Sequence, residues 1–280
     1  MQTMNESPEN QLPALLPAAW PDAHRLAVSA IFISACVGAA LLLGASLLAR
    51  VLPAGGGNLY VYKAVGCYFV LLLPLLAGLR AHLPHDRFGA ANTVTLLRAA
   101  MVCLLASLYG EQWRGEELLV AAIAVLALSM DGVDGWLARR SGTQSRFGAR
   151  FDMEADSLLV LVLALLAWQS GKAGVWVLTA GLMRYAFLAA ALQWRWLDRP
   201  LAPSQRRKTI CVLEIIALIA CVAPILPDSW RTAAAVDAVL MLAWSFVLDI
   251  VWLTRRRHLP MTAVSMPPPP KKDGTVDAGA

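Results

Sequence analysis

Charged residues are scarce in this sequence. They make up 15% of the 280 residues, against about 25% in a typical soluble domain. Hydrophobic residues make up 58%, and the mean hydropathy is +0.58. A chain with so little polar surface cannot cover its apolar content in water. The composition therefore excludes a disordered chain, a coiled coil and most soluble enzymes, and it predicts a polytopic membrane protein.

Metal-binding cysteine patterns are also missing. No Cys-x-x-Cys pair occurs, and no histidine lies beside a cysteine at metal-ligand spacing. We interpret the cysteines as small, buried hydrophobic side chains. The net charge of +5 does not require a nucleic acid partner, because basic cytoplasmic loops explain it in a membrane protein. The five cysteines are Cys36, Cys67, Cys103, Cys211 and Cys221.

Eight apolar stretches have about the 20 residues that a helix needs to cross a bilayer. The sequence therefore predicts an all-α integral membrane protein with eight spans. A charged, proline-containing run near residues 82–87 separates the first two spans from the other six. Residues 1–25 are expected to be a cytoplasmic segment and residues 258–280 a disordered tail. The predicted spans are 26–49, 60–79, 92–109, 117–138, 151–168, 174–194, 209–226 and 232–254.

The distribution of basic residues predicts the orientation. With both ends of the chain in the cytoplasm, most of the 24 lysines and arginines fall in cytoplasmic segments. This bias follows the positive-inside rule and agrees with an even number of spans. We therefore expect a bacterial inner (cell) membrane protein.

Carboxylates gather near the cytoplasmic ends of the fourth and fifth spans, where acids are costly and usually functional. Asp131 and Asp134 share one helix face, and Asp152 and Asp156 lie one turn apart on the next helix. Two antiparallel helices joined by a turn at residues 141–142 would direct all four carboxylates into one space. Their repulsion must be neutralised, and oxygen ligands of this kind suit Mg²⁺ or Mn²⁺.

Small residues share the faces that carry these acids. Gly135, Ala138 and Gly148 would let a large ligand approach the backbone closely. The alternative is a set of ordinary Asp–Arg pairs at the membrane interface, which does not explain why small residues and acids share faces. The arginines available for such pairs are Arg139, Arg140, Arg146 and Arg150.

The acids and small residues together form the pattern Asp-x2-Asp-Gly-x2-Ala-Arg-x8-Gly-x3-Asp-x3-Asp. This pattern resembles the fingerprint of the CDP-alcohol phosphotransferases at every position. The six spans from 92 to 254 also resemble the six-helix core of that family. The resemblance implies a core over residues 88–257, and the two accessory helices predicted in residues 26–87 lie outside this core and depart from the family pattern. The matching positions are Asp131, Asp134, Gly135, Ala138, Arg139, Gly148, Asp152 and Asp156.

The resemblance implies a reaction in phospholipid biosynthesis. The family transfers a substituted phosphate from a CDP-linked donor to an alcohol and releases CMP. By this resemblance the four aspartates hold two divalent cations, Mg²⁺ or Mn²⁺, and Asp156 also takes the proton of the acceptor hydroxyl. Arg139 would meet the donor phosphates, and Gly135, Ala138 and Gly148 would leave room for the nucleotide. The family also implies a CDP-diacylglycerol-type donor and a homodimer.

A second resemblance lies upstream, where Asn92, Thr95 and Arg98 match the Asn-x2-Thr-x2-Arg stretch that opens the family's first core helix. All three would share one helix face. The predicted role is contact with the nucleotide or its phosphates. The alternative is a helix cap by Asn92 and an Arg98 side chain that extends to the membrane surface.

The acceptor is less well defined by the sequence. Arg184 within a span and the run Arg206, Arg207 and Lys208 would form a cationic pocket for a phosphorylated acceptor such as glycerol 3-phosphate. The alternative for the run is an ordinary positive-inside loop. Glu214, also within a span, is expected to pair with Arg184 or Lys208.

Two other functions are compatible with acids in a membrane protein. A divalent-cation transporter would need its carboxylates near the bilayer midplane, whereas these acids lie toward the cytoplasmic end. A catalytically silent family member would have no need to retain all four aspartates. The favoured hypothesis is therefore a membrane phosphatidyltransferase whose site faces the cytoplasm.

Overall fold

The computed structural model describes residues 19–51, 57–79, 87–111, 115–141, 145–194, 196–197 and 204–255. Within these ranges the chain is all-helical, without a β-strand. A short 3-10 helix precedes the sixth α-helix. The eight α-helices are α1 (Ala19–Val51), α2 (Gly57–Gly78), α3 (Ala90–Ala106), α4 (Glu117–Ser141), α5 (Arg146–Gln169), α6 (Leu178–Gln193), α7 (Gln205–Val222) and α8 (Asp228–Arg255).

Each predicted apolar stretch falls on one of these helices, although α1 and α5 begin earlier than expected and α3 and α7 end earlier. Residues 1–18 of the predicted cytoplasmic segment, Gly142 of the predicted turn at 141–142 and the predicted tail at 258–280 lie outside the described residues, whereas Ser141 is the last residue of α4.

Five of the helical segments are long and apolar enough to cross a membrane. Of the other helices, α3 is apolar but shorter, with 17 residues. Both α5 and α7 carry several charged residues in their N-terminal halves. The five candidate spans are Ala23–Val51, Leu59–Gly78, Glu117–Arg140, Val175–Gln193 and Asp228–Arg255.

Large apolar side chains point outward from these helices. Phe32 of α1 and Leu73 of α2 are 68% and 70% exposed, as expected for surfaces that contact lipid rather than water. Cys36 of α1 is also exposed, so the prediction that all the cysteines are buried is wrong at this position. Its place on the outer face of an apolar helix explains why the sequence pattern alone did not separate it from a core cysteine.

The first two helices pack mainly against each other and against α3. The Tyr68 hydroxyl of α2 donates a 2.8 Å hydrogen bond to the Ser34 carbonyl oxygen of α1. The Tyr60 hydroxyl donates to the Leu104 carbonyl oxygen of α3 at 3.2 Å. The first bond joins α2 to α1, and the second joins the α1–α2 pair to α3, which also contacts α4 and α5.

The start of α5 is held beside the start of α3. The Ser145 hydroxyl oxygen accepts a 3.0 Å hydrogen bond from the Gly148 backbone N–H and so caps the N-terminus of α5. Phe147 packs between Phe88 and Phe151, with ring centroids 6.2 and 6.1 Å away. These contacts place the first turns of α5 against α3.

The remaining helices surround α5 and α7. Helix α5 contacts α6 and α7, and α7 also contacts α4 and α8. Helices α5 and α6 approach each other closely, since a Cβ added to Gly181 would lie 2.5 Å from the Leu161 Cα. This packing buries Asp131 and Asp134 of α4 and Glu214 of α7, whereas Arg140 and Arg150 at the helix ends are exposed.

Candidate active site

Four aspartates from α4 and α5 converge on one guanidinium group of α3. The Arg98 Nη1 atom lies 2.8 Å from Asp131 Oδ1, 3.8 Å from Asp134 Oδ2 and 3.3 Å from Asp156 Oδ1. The Arg98 Nη2 atom forms a short ion pair with Asp152 and a 3.2 Å hydrogen bond with the Asp152 carbonyl oxygen. The expectation that α4 and α5 direct their acids into one space is consistent with this geometry.

The position of Arg98 excludes one of its two sequence interpretations. Its side chain is only 1% exposed, so the alternative in which it extends to the membrane surface is wrong. It lines neither of the cavities described below. The long side chain of Arg98 places its guanidinium between α4 and α5. Arg98 is therefore the counter-ion of the four carboxylates in this structure.

Three of the acids form a group of metal-binding size. One carboxylate oxygen each from Asp131, Asp152 and Asp156 lies within 4.8 Å of the others. Asp134 is held somewhat apart, since its Oδ2 atom accepts a 2.9 Å hydrogen bond from the Thr95 hydroxyl. Hard oxygen ligands of this kind suit Mg²⁺ or Mn²⁺. One guanidinium also leaves most of the charge of four carboxylates unbalanced, so the residues fit a divalent cation.

A cavity of about 300 Å³, the α3–α5 cavity, opens between the N-terminal part of α3 and the facing ends of α4 and α5. Six of the seven residues predicted to bind the donor line it, and Arg98 is the exception. The structure therefore brings together side chains that lie far apart in the sequence. The six lining residues are Asn92, Thr95, Gly135, Ala138, Arg139 and Gly148.

Asn92 lies inside the first turn of α3 and does not cap it. The N-cap position is Gly89, and the Asn92 Nδ2 atom donates a 2.6 Å hydrogen bond to the Phe88 carbonyl oxygen. The cap alternative is therefore wrong. A Cβ added to Gly148 would lie 2.9 Å from Asn92 Oδ1, so this glycine allows α5 to approach the Asn92 side chain closely.

A second cavity of about 350 Å³, the α4–α8 cavity, lies on the other side of the carboxylates. Arg184, Arg207 and Lys208, three of the four residues predicted to bind the acceptor, line it. Arg206 does not. Its Nη2 atom lies 2.6 Å from Asp249 Oδ1 of α8, and Arg207 Nη1 lies 3.5 Å from the same oxygen.

Arg184 pairs with Glu154 of α5, and the expected pairing of Glu214 with Arg184 or Lys208 is wrong. The sequence alone indicates no role for Glu154. It lies between Asp152 and Asp156 in the chain, but on a helix face turned toward α6, which the sequence could have indicated only with the position of α6 known. Asp249 was missed in the same way, because its partners come from α7.

The two cavities meet at the carboxylate cluster. Ala149, Asp152 and Lys208 line both of them. Asp134 lines only the α3–α5 cavity, whereas Asp131 and Asp156 line only the α4–α8 cavity. Two ligands bound in these cavities would therefore approach each other at Asp152.

The fold and the site define a helical membrane protein with a buried acidic cluster between two cavities. Comparison with known families identifies it further. Residues 88–251 match the CDP-alcohol phosphatidyltransferase family. The match covers more than half of the chain, and the chain belongs to this family.

Several curated proteins are similar to parts of the chain. The chloroplastic/mitochondrial CDP-diacylglycerol–glycerol-3-phosphate 3-phosphatidyltransferase 1 of Arabidopsis thaliana is 31% identical over 173 residues, which are 58% of this chain and 53% of the relative. The CDP-diacylglycerol–glycerol-3-phosphate 3-phosphatidyltransferase of Pseudomonas fluorescens is 32% identical over 82 residues, which are 29% of this chain and 42% of the relative.

The protein of the same name from Pectobacterium atrosepticum is 35% identical over 80 residues, which are 29% of this chain and 44% of the relative. The chain thus spans about half the length of these relatives. No solved structure matches the chain significantly.

Proposed function

We propose that this protein transfers a phosphatidyl group from CDP-diacylglycerol to glycerol 3-phosphate and releases CMP. The observation that carries the proposal is the carboxylate cluster at the junction of two cavities, because a two-substrate transfer needs both substrates at one acidic centre. Family membership supports the reaction class. The names of the relatives support glycerol 3-phosphate as the acceptor.

In this proposal the donor nucleotide occupies the α3–α5 cavity. Arg139 meets the donor phosphates, and Asn92 and Thr95 offer an amide and a hydroxyl from the facing helix. Gly135, Ala138 and Gly148 keep this cavity free of bulky side chains. The cavity's position at the ends of α4 and α5 would let the acyl chains extend into the surrounding lipid.

The four aspartates, Asp131, Asp134, Asp152 and Asp156, would hold two divalent cations, Mg²⁺ or Mn²⁺. When bound, such cations neutralise the charge of the donor pyrophosphate and of the leaving CMP. Most of what a phosphoryl-type transfer requires is positioning and charge stabilisation. The protein residues therefore act mainly by holding two anionic substrates in line.

The acceptor occupies the α4–α8 cavity, where Arg184, Arg207 and Lys208 supply positive charge for its phosphate. Asp156 takes the proton from the acceptor hydroxyl. The hydroxyl oxygen then forms a bond to the donor's β-phosphorus, and the bond from that phosphorus to the oxygen of CMP breaks. The products are phosphatidylglycerol phosphate and CMP.

The membrane arrangement completes the proposal. All eight helices cross the bilayer, and residues 88–257 form the catalytic core with α1 and α2 (residues 26–87) as accessory helices. The Arg139 end of the site faces the cytoplasm across a bacterial inner membrane. The protein functions as a homodimer, as the family resemblance implies.

An acceptor screen tests the proposed function. Purified protein in detergent with CDP-diacylglycerol and Mn²⁺ should release CMP with glycerol 3-phosphate, and the lipid product should have the mass of phosphatidylglycerol phosphate. Inositol phosphate, serine and a second phospholipid serve as competing acceptors. The Asp156→Asn variant should lose at least about 100-fold in rate, as expected for the removal of a general base.

The proposal is wrong if no acceptor yields CMP. Uptake of Mn²⁺ into vesicles without turnover of the donor would instead support the cation-transporter alternative. Equal cellular activity of the wild type and an Asp152→Asn variant would support a catalytically silent family member.

A further inference from the structure

Glu214 is a buried carboxyl group that the proposed mechanism does not use. The residue is 2% exposed, and its Oε1 atom has no hydrogen-bond partner. No described lysine or arginine forms an ion pair with it. Its side chain lines the α4–α8 cavity. A buried carboxyl oxygen without a partner is unfavourable, and this one borders a space that a ligand can enter.

Helix α7 places Glu214 at the inner end of this cavity. Lys208, Cys211 and Glu214 follow at intervals of three residues, so they share one face of α7, and all three line the cavity. At 1.5 Å per residue, Glu214 lies about 9 Å along the helix from Lys208. The cationic residues thus lie at one end of this face and the unpartnered carboxyl at the other.

Asp156, which takes the proton from the acceptor hydroxyl in the proposed function, lies between these two ends of the cavity. Lys208 and Asp152 line both cavities, which places them at a similar level. Asp156 is one turn beyond Asp152, about 6 Å along α5. Helices α5 and α7 contact each other, and their C-terminal ends meet where Lys172 Nζ donates a hydrogen bond to the Val222 carbonyl oxygen. The two helices therefore run in the same direction, and Glu214 lies roughly 3 Å further along the bundle than Asp156.

We propose that Glu214 accepts a hydrogen bond from the free hydroxyl of the acceptor, the hydroxyl that neither reacts nor carries the phosphate. The proposal rests on the proposed function. A carboxyl oxygen accepts such a bond in either charge state, and the positive charge that attracts a phosphate lies at the other end of the cavity. The phosphate therefore binds at the cationic end, the reacting hydroxyl lies at Asp156, and the neighbouring hydroxyl meets Glu214.

Glu214 is accordingly a specificity-determining residue for polyol phosphates. A site built to hydrogen-bond a substrate hydroxyl rejects an analogue that lacks this hydroxyl, because its buried polar group is then left unpaired. A purely structural Glu214 would not distinguish two acceptors that differ only in this one group.

The test compares glycerol 3-phosphate with 3-hydroxypropyl phosphate, which lacks the middle hydroxyl. The wild type should favour glycerol 3-phosphate in kcat/KM by at least about 10-fold. In Glu214→Ala this ratio should fall close to one through a higher KM for glycerol 3-phosphate, while the KM for CDP-diacylglycerol stays unchanged. Glu214→Gln should keep most of the preference, because its amide oxygen also accepts a hydrogen bond.

Asp237→Ala, which removes an exposed carboxyl of α8, is the matched control and should keep the wild-type ratio. An active Glu214→Ala protein with the wild-type ratio overturns the proposal. A rise in the KM for CDP-diacylglycerol that parallels the rise in the KM for glycerol 3-phosphate also overturns it. If Glu214→Ala fails to fold, acceptor binding to the wild type decides the matter. Equal affinities for the two acceptors contradict the proposal, and an analogue that binds at least about 10-fold more weakly supports it.

These outcomes differ from a failure of the proposed function. If the wild type releases no CMP with any acceptor, the proposed function fails. If it releases CMP with glycerol 3-phosphate but does not discriminate against the analogue, only the role of Glu214 fails.

Discussion

At the scale of single residues, Arg98 determines the electrostatics of the site. Its guanidinium lies among four carboxylates and is almost completely buried. Removing one partner of a buried ion pair leaves the other charge uncompensated and typically costs about 3–5 kcal/mol. Arg98 therefore stabilises the fold whenever the aspartates lack another cation.

The Arg98→Leu variant should consequently be unstable without divalent metal. In EDTA its free energy of unfolding should fall by about 3–5 kcal/mol. Added Mn²⁺ should restore part of the loss, because the cation replaces the missing positive charge. Thermal unfolding in detergent, with EDTA or with Mn²⁺, measures both effects.

The control for this variant is Arg140→Leu, which removes an exposed arginine from the end of α4. It should melt close to the wild type in both conditions. A melting temperature of Arg98→Leu in EDTA equal to that of the wild type would show that Arg98 does not act as the counter-ion.

The sequence predicted which aspartates share a helix face, but it did not predict the arginines with which acidic residues of the site form ion pairs. The i, i+3 and i, i+4 spacings of the aspartates define helix faces without knowledge of the fold. The partner of those aspartates was not predictable in this way, because Arg98 comes from α3 and reaches them only through tertiary packing. The Arg184–Glu154 and Arg206–Asp249 pairs were missed for the same reason.

At the scale of helices, the close approach of α5 and α6 maintains the α4–α8 cavity. Gly181 and Arg184 of α6 both line this cavity, and Arg184 pairs with Glu154 of α5. The glycine permits this approach, since any Cβ at this position would contact the backbone of Leu161. Backbone contacts of this kind cannot be relieved by a change of rotamer.

Gly181→Ala should therefore separate the two helices. The expected loss is about 1–3 kcal/mol in the free energy of unfolding, which is typical of an overpacked core. Denaturant unfolding in detergent micelles measures this loss.

Gly66→Ala on α2 is the matched control, because a Cβ there would have nothing within 4 Å. It should be neutral or slightly stabilising, since alanine is the better helix former. Equal stability of the two variants would contradict the packing argument.

The helices themselves were largely predictable, and their ends were less so. Long apolar runs mark the eight helices, and five of these helices are long and apolar enough to cross a membrane, where a segment must satisfy its backbone polar groups internally. The predicted fifth span begins at residue 151, whereas α5 begins at Arg146, because the charged residues before 151 do not belong to the apolar run. Its cap by Ser145 and the packing of Phe147 extend this helix beyond the apolar run.

At the scale of the whole molecule, the distribution of basic residues predicts that the Arg139 end of the site faces the cytoplasm. Arg140 lies at this end of α4, and Asp228 lies at the start of α8, with a side chain that is 97% exposed. The positive-inside bias places these two positions on opposite sides of the membrane.

Single cysteines introduced at these positions test this orientation in a background without the native cysteines. In intact bacterial cells a membrane-impermeant maleimide should label Asp228→Cys at once. It should label Arg140→Cys only after the membrane has been permeabilised. The reverse labelling pattern would invert the proposed orientation and would place the site on the outer side.

The central claim is that the aspartates of α4 and α5 hold divalent cations between two substrate cavities. Electron paramagnetic resonance of Mn²⁺ titrated into the purified protein tests it most directly. Wild-type protein should bind Mn²⁺, and Asp131→Asn and Asp152→Asn should each bind it at least about 10-fold more weakly, whereas Asp237→Asn should match the wild type. Equal Mn²⁺ affinity in all four proteins would contradict the account.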